Sequence, residues 1–122
     1  HCSACRALAP VLDSLAQKYA HAKIDVIFHG INGTREEFEK WKSELNLSLP
    51  VALDPADVTR MNYAVYSLPS IYFISSGGLV RYIHHGFRPA DEKILKKMFK
   101  ERLKRMKLRK KGIHPDRDLV NV

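Results

Sequence analysis

The chain has 122 residues, 45% of them hydrophobic, and a formal net charge of +8. That length suits one domain with a real hydrophobic core, and no apolar run approaches the ~20 residues of a membrane span. The charge is uneven: between Lys93 and Lys111 stand eleven Lys/Arg and one acid, Glu101, so this window carries +10 and the remainder about −2. The window reads either as a solvated helix face or as a surface drawn to an anionic membrane or an acidic partner. Nucleic acid is disfavoured, because no aromatic interleaving or groove-reading motif accompanies the charge.

The chain opens on His1-Cys2-Ser3-Ala4-Cys5-Arg6, which holds the only two cysteines. Leu8, Val11, Leu12, Leu15 and Tyr19 recur at helical spacing and predict a helix over 2–22, bent at Pro10. Ile24 to Ile31 is an apolar, β-branched run suited to a buried parallel strand. After Asn32-Gly33, Thr34 and Glu37 form a capping box that opens a helix with Phe38, Trp41 and Leu45 inward. Leu49 to Asp54 is a short strand, and Asp57 to Ala64 a short helix. Ser70 to Ile74 is a strand, Gly77-Gly78 a tight turn and Leu79 to His84 the antiparallel return. Pro89, Asp91 and Glu92 start a last helix, with Leu95, Met98, Phe99, Leu103 and Met106 on its inner side. Gly112 and Pro115 end it. Residues 1–111 thus read as one α/β domain ending in a basic helix, and 112–122 as a loosely held tail. Trp41, Tyr72 and Phe73 are expected in the core.

Two thiols three residues apart at a helix start can close a small disulfide ring, and the helix N-terminus favours a thiolate there. The spacing admits other chemistry. A c-type haem site needs a histidine after the second cysteine, where Arg6 stands. A zinc ribbon needs a second cysteine pair, which the sequence lacks. A copper or zinc site recruiting His1, His84 or His85 stays open, although both His84 and His85 also read as ordinary strand-end residues. Pro69, in Ser67-Leu68-Pro69-Ser70, is either the start of a strand or the companion of the cysteine pair.

Taken in order, these pieces resemble the thioredoxin superfamily, and most of all its TlpA/ResA-like branch of thiol-disulfide oxidoreductases. Cys2-Ser3-Ala4-Cys5 matches the active-site C-x-x-C, and Pro10 the helix-kinking proline. Leu49-Pro50-Val51-Ala52-Leu53-Asp54 resembles the family's P-V-x-x-D segment. Tyr63-Ala64-Val65, Leu68-Pro69-Ser70, Gly78 and Gly86 fall where the family has its Y-x-V, its P-T and two later glycines. The sequence departs from the pattern at His1, where tryptophan is usual, and shows no obvious buried glutamate near Asn32-Gly33.

The resemblance implies a thioredoxin-like fold, a central mixed β-sheet flanked by helices. It also implies a strand immediately before C-x-x-C, in mid-sheet, for which this chain has no residues. The expectation is therefore a domain whose first central strand lies upstream of the residues given. The implied activity is disulfide exchange with protein substrates, with no cofactor. Cys2 would be the exposed nucleophile, Cys5 the resolving thiol one turn deeper, and His1 a thiolate stabiliser or a mere chain end. Pro69 would follow a cis peptide bond and set the Leu68 backbone against an extended substrate. A reductant role, apocytochrome maturation, an upstream redox partner and an extracytoplasmic location, periplasmic or membrane-anchored and facing outward, are what the family allows. The alternatives are a copper-binding chaperone and a thioredoxin-like interaction domain without catalysis.

Overall fold

The computed structural model describes residues 2–112. His1 and the predicted tail beyond Gly112 lie outside the described residues.

Helix α1 spans Ser3–Lys18 and buries Leu8, Ala9, Leu12 and Leu15, with Tyr19 at its end. Pro10 sits inside the helix on its exposed side. The helix predicted over 2–22 is not continuous. It closes at Tyr19 and tightens into a 3-10 turn, Ala20–Ala22, where the Ala22 N–H donates to the Tyr19 carbonyl at 2.9 Å. That turn buries Ala22, and Lys23 at φ 55° redirects the chain toward the first strand.

Strand β1 is Phe28–Gly30, paired in parallel with β2, Val51–Leu53, with His29 opposite Ala52. It is shorter than the predicted Ile24–Ile31, because its partner offers only three residues. Phe28 N–H to Pro50 O and Asp54 N–H to Gly30 O close the two ends of the ladder at 3.0 and 3.1 Å. Residues 24–27 keep the two-residue alternation: Ile24 and Val26 pack on the core, while Ile27 is 58% exposed. The run is therefore covered on one face rather than buried on both.

Between these strands, α2 (Arg35–Glu44) opens on the expected capping box. The Glu37 N–H donates to Thr34 Oγ1 at 3.2 Å, and the Thr34 N–H donates to the Glu37 carboxylate at 3.4 Å. Phe38, Trp41 and Leu45 are only half-buried and no residue of α2 is fully buried, since a three-residue ladder offers it little surface. Trp41 meets Phe28 edge-on, with ring centroids 5.5 Å apart. Helix α3 is Val58–Asn62, shorter than predicted. Its first N–H groups are held by Asp54, which accepts from Thr59 at 3.0 Å and Arg60 at 2.8 Å.

Strands β3 (Ser70–Ile74) and β4 (Val80–His85) form an antiparallel hairpin. The return strand starts at Val80 rather than Leu79. The Leu79 carbonyl instead closes the loop by accepting from the Ser75 N–H at 2.8 Å, with Gly78 at φ +84°. No ladder joins β1 to β3, so the parallel and antiparallel parts of the expected mixed sheet are two separate two-stranded ladders.

After Gly86 and a 3-10 turn at Pro89–Asp91, α4 runs from Glu92 to Lys110. Leu95 and Phe99 are its fully buried residues, each contributing about 1.5–3 kcal/mol by burial. They join Leu8, Leu12, Leu15, Tyr19, Ala22 and Leu49 in one cluster, against which Ile71 and Phe73 of β3 pack. Phe73, half-buried, packs on the core as expected, with its ring centroid 5.6 Å from that of Phe99, whereas Trp41 and Tyr72 are half-buried outside the cluster. Tyr72 turns away from the cluster to stack on Tyr63 and donate to its carbonyl at 2.8 Å. The core thus anchors α1 from Leu8 onward and leaves its first turn at the molecular surface.

Candidate functional site

Cys2 is the N-cap of α1, with extended backbone at φ −116° and ψ 98°. That conformation aims its Sγ at the first turn, where it accepts the Cys5 N–H at 3.2 Å. The two cysteines are joined in a disulfide, with Cα atoms 5.1 Å apart. Both are half-buried, so Cys2 is less open than expected. No acidic residue stands in the first turn of the helix. A thiolate on Cys2 would therefore meet backbone N–H groups and the positive end of the helix dipole without a neighbouring negative charge in that turn. Arg6, next to Cys5, points its guanidinium at Glu44 at the end of α2, 3.1 Å away.

The second element is the loop entering β3. The Leu68–Pro69 peptide bond is cis, as the resemblance implies. Pro69 is buried and Leu68 is 49% exposed. The Pro69 carbonyl is occupied by the Gly86 N–H at 2.7 Å. Ser70 braces the loop: its Oγ donates to the Ser67 carbonyl at 2.7 Å and lies 2.9 Å from His85 Nδ1. Among the described residues no hydrogen bond engages Leu68, so its peptide groups stay open to an incoming chain. Ile71, two residues beyond Pro69, packs on the cluster containing Leu8 and Leu12 of α1. One core thereby supports both the disulfide helix and the cis-proline strand.

The remaining candidates divide. His1 lies outside the described residues. His84 is nearly buried, with Nε2 3.5 Å from Asp91 Oδ2, while His85 is exposed and engaged with Ser70. No group of three His, Cys, Asp or Glu side chains placed to hold a metal occurs among the described residues.

Two polar features escaped the reading of the sequence. Asp13 is buried in α1 and accepts from the N–H groups of Ser48 and Leu49 and from the Ser48 hydroxyl, each at 3.0 Å, through one oxygen. Its other oxygen takes Gln17 at 3.0 Å. The only sequence signal was a carboxylate beside Leu12 in an apolar stripe. The Ser70–His85 contact joins residues fifteen positions apart and follows from the hairpin register.

Comparison with known proteins agrees with this geometry. The AhpC/TSA family model matches residues 1–83. The thiol:disulfide interchange protein DsbE of Xylella fastidiosa (strain 9a5c) is 33% identical over 86 residues, covering 70% of this chain and 42% of that protein. The thiol-disulfide oxidoreductase ResA of Oceanobacillus iheyensis is 25% identical over 90 residues, covering 74% of this chain and 47% of its own length. The chain thus spans less than half the length of these relatives. Among solved structures, the exposed lipoprotein thioredoxin Etrx1 of Streptococcus pneumoniae strain TIGR4 superposes with a TM-score of 0.68 at 27% identity, over 82% of this chain and 76% of that one. A protein from Chlorobium tepidum assigned as DsbE reaches a TM-score of 0.78, also at 27% identity, over 84% and 72%. The family match takes in the disulfide, the cis-proline loop and most of both ladders, and on that extent the chain belongs to the AhpC/TSA family and has a thioredoxin-like fold.

Proposed function

We propose that this domain is a thiol-disulfide oxidoreductase that exchanges disulfides with protein substrates through Cys2 and Cys5. The observation that carries the reading is the Cys2–Cys5 disulfide at the N-cap of α1, in a fold that also sets a cis-proline before β3. In the reducing direction, the Cys2 thiolate attacks one sulfur of a substrate disulfide. A Cys2–substrate bond forms, the substrate S–S bond breaks, and the departing sulfur takes a proton. The Cys5 thiolate then attacks the Cys2 sulfur, the mixed disulfide breaks, and the second substrate sulfur leaves as a thiol. Two electrons have passed to the substrate, and the Cys2–Cys5 bond is restored. A dithiol donor upstream must reduce it for another turnover. The open peptide groups of Leu68 would hold the substrate segment as an added strand during both attacks.

The direction assigned is reductive, in an extracytoplasmic compartment, and the disulfide of apocytochrome c, released as its two thiols, is the substrate class in view. This reading rests on the resemblance to the TlpA/ResA-like branch and is compatible with the DsbE and ResA relatives, of which the chain spans less than half the length. We further assign the space between β1 and β3 to a strand contributed from outside residues 2–112, since neither strand has a ladder partner on that side.

The test is reduction of a model protein disulfide by the reduced domain. Wild type should turn over with an added thiol donor. Cys2→Ser should fall to the uncatalysed background, whereas Cys5→Ser should accumulate a mixed disulfide on Cys2. Full activity in Cys2→Ser would refute the assigned nucleophile.

A further inference from the structure

The lysines and arginines of α4 occupy different sides of the helix. Lys93, Lys96, Lys97, Lys100, Lys104 and Lys107 are all exposed. At ~100° per residue they fall within an arc of about 100°, along about 21 Å of helix. Arg102, Arg105 and Arg109 fall on the opposite flank and are half-buried. The single acid within the basic window, Glu101, lies outside the lysine arc. Lys100, Lys104, Lys107 and Lys111 share a shallow groove of about 320 Å³ with Leu103 and Leu108.

We propose that this lysine stripe docks the domain on an anionic lipid bilayer. Lysine is a hydrated point charge on a flexible stem, suited to a diffuse sheet of phosphates, whereas specific carboxylate pairing is the forte of the arginine fork. A straight row of six exposed lysines, of which Lys96 also pairs with Glu92 at 3.4 Å, matches a flat anionic surface. Of the two leucines in that groove Leu103 also packs on the core, and Leu108 gives aliphatic contact at headgroup depth, which an acidic protein face would not need. The placement also suits an active domain. The Tyr19 ring, at the C-terminal end of α1, packs on Phe99 with centroids 5.5 Å apart. Beyond Phe99, α4 therefore runs on past the end of α1, away from Cys2 and Cys5. A domain held by the second half of α4 keeps its disulfide turned outward. This inference does not depend on the redox activity proposed above.

The experiment is co-sedimentation of the protein with phosphatidylcholine vesicles, with and without phosphatidylglycerol, at low and high salt. Binding is expected only with phosphatidylglycerol, and weaker at high salt. Each lysine near the surface contributes about fivefold, so Lys100→Gln/Lys104→Gln/Lys107→Gln should weaken binding about 100-fold. The off-stripe triple Lys23→Gln/Arg35→Gln/Lys40→Gln removes the same net charge and should stay within about threefold of wild type. Equal losses in the two triples would show that net charge, not the stripe, drives binding and would overturn the proposal. So would capture of soluble polyglutamate with no binding to anionic vesicles, which would make α4 a protein-docking face.

Discussion

Asp13 shows how much of this fold hangs on one carboxylate. It lies in mid-helix, on the rim of the α1 stripe, with 6% of its surface exposed. Through Ser48 and Leu49 it ties α1 to the segment leading into β2, fixing where the parallel ladder begins. Removing it leaves two backbone N–H groups unpaired in a largely buried place, and each such loss costs about 1–3 kcal/mol. Asp13→Ala should therefore destabilise the domain by about 3 kcal/mol, read as a lower urea midpoint with an unchanged slope. Asp13→Asn keeps one acceptor oxygen and should lose less. A midpoint unmoved by Asp13→Ala would mean that water or a relaxed loop replaces the carboxylate. None of this was legible in the sequence, because its partners are thirty-five residues away. Cys2 and Cys5 were legible as a pair, because their signal is local, a spacing of three at a helix start, whereas Pro69 alone reads equally as the start of a strand and its cis bond was implied by the resemblance.

Among the elements, α2 is held against the parallel ladder by a close approach rather than by a buried stripe. A Cβ added at Gly30 would lie 2.6 Å from Phe38 Cε2 and within 2.8 Å of two more ring atoms. An aromatic ring pinned between strand and helix has no flexible end to swing aside, so the cost falls on the helix–strand spacing. Gly30→Ala should destabilise by about 1–3 kcal/mol through overpacking. Phe38→Leu should recover part of that loss in the double variant, as a coupling between touching residues requires. Strictly additive losses in thermal or urea unfolding would place the strain elsewhere. The helices were read well, since capping boxes, proline at the start of a turn and 3.6-residue stripes are local signals. Strand length was not. Ile24 to Ile27 have the residues and the alternation of a strand, but a strand needs a neighbour, and β2 begins only at Val51, opposite Phe28. Likewise the mixed parallel and antiparallel pairing was foreseen, and it is divided between two separate two-stranded ladders.

At the scale of the whole molecule, two buried carboxylates pin the junctions on either side of the cis-proline hairpin. Asp54 joins β2 to α3, and Asp91 joins β4 to α4. Backbone N–H donation from Thr59, then from Arg60, holds the Asp54 carboxyl below its ordinary value of 3.8. The Arg88 N–H does the same for Asp91, helped by the Arg88 charge and by His84 and opposed by burial. Because both values are depressed on folding, the unfolded chain takes up protons first as pH falls. Their stabilising contribution is whole above the ordinary carboxylate range and is lost as pH drops below 3.8 toward each folded value. With respect to these two groups the urea midpoint should be flat between about pH 5 and 7 and fall below about pH 4. Asp54→Asn/Asp91→Asn should be less stable than wild type at neutral pH yet lose less on acidification, so the two curves converge at low pH. Parallel acid limbs would show that other carboxylates drive the unfolding. Convergence would show that the junctions on either side of the cis-proline hairpin are held by charge on backbone donors, so that acid loosens them while the Cys2–Cys5 bond stays covalently intact.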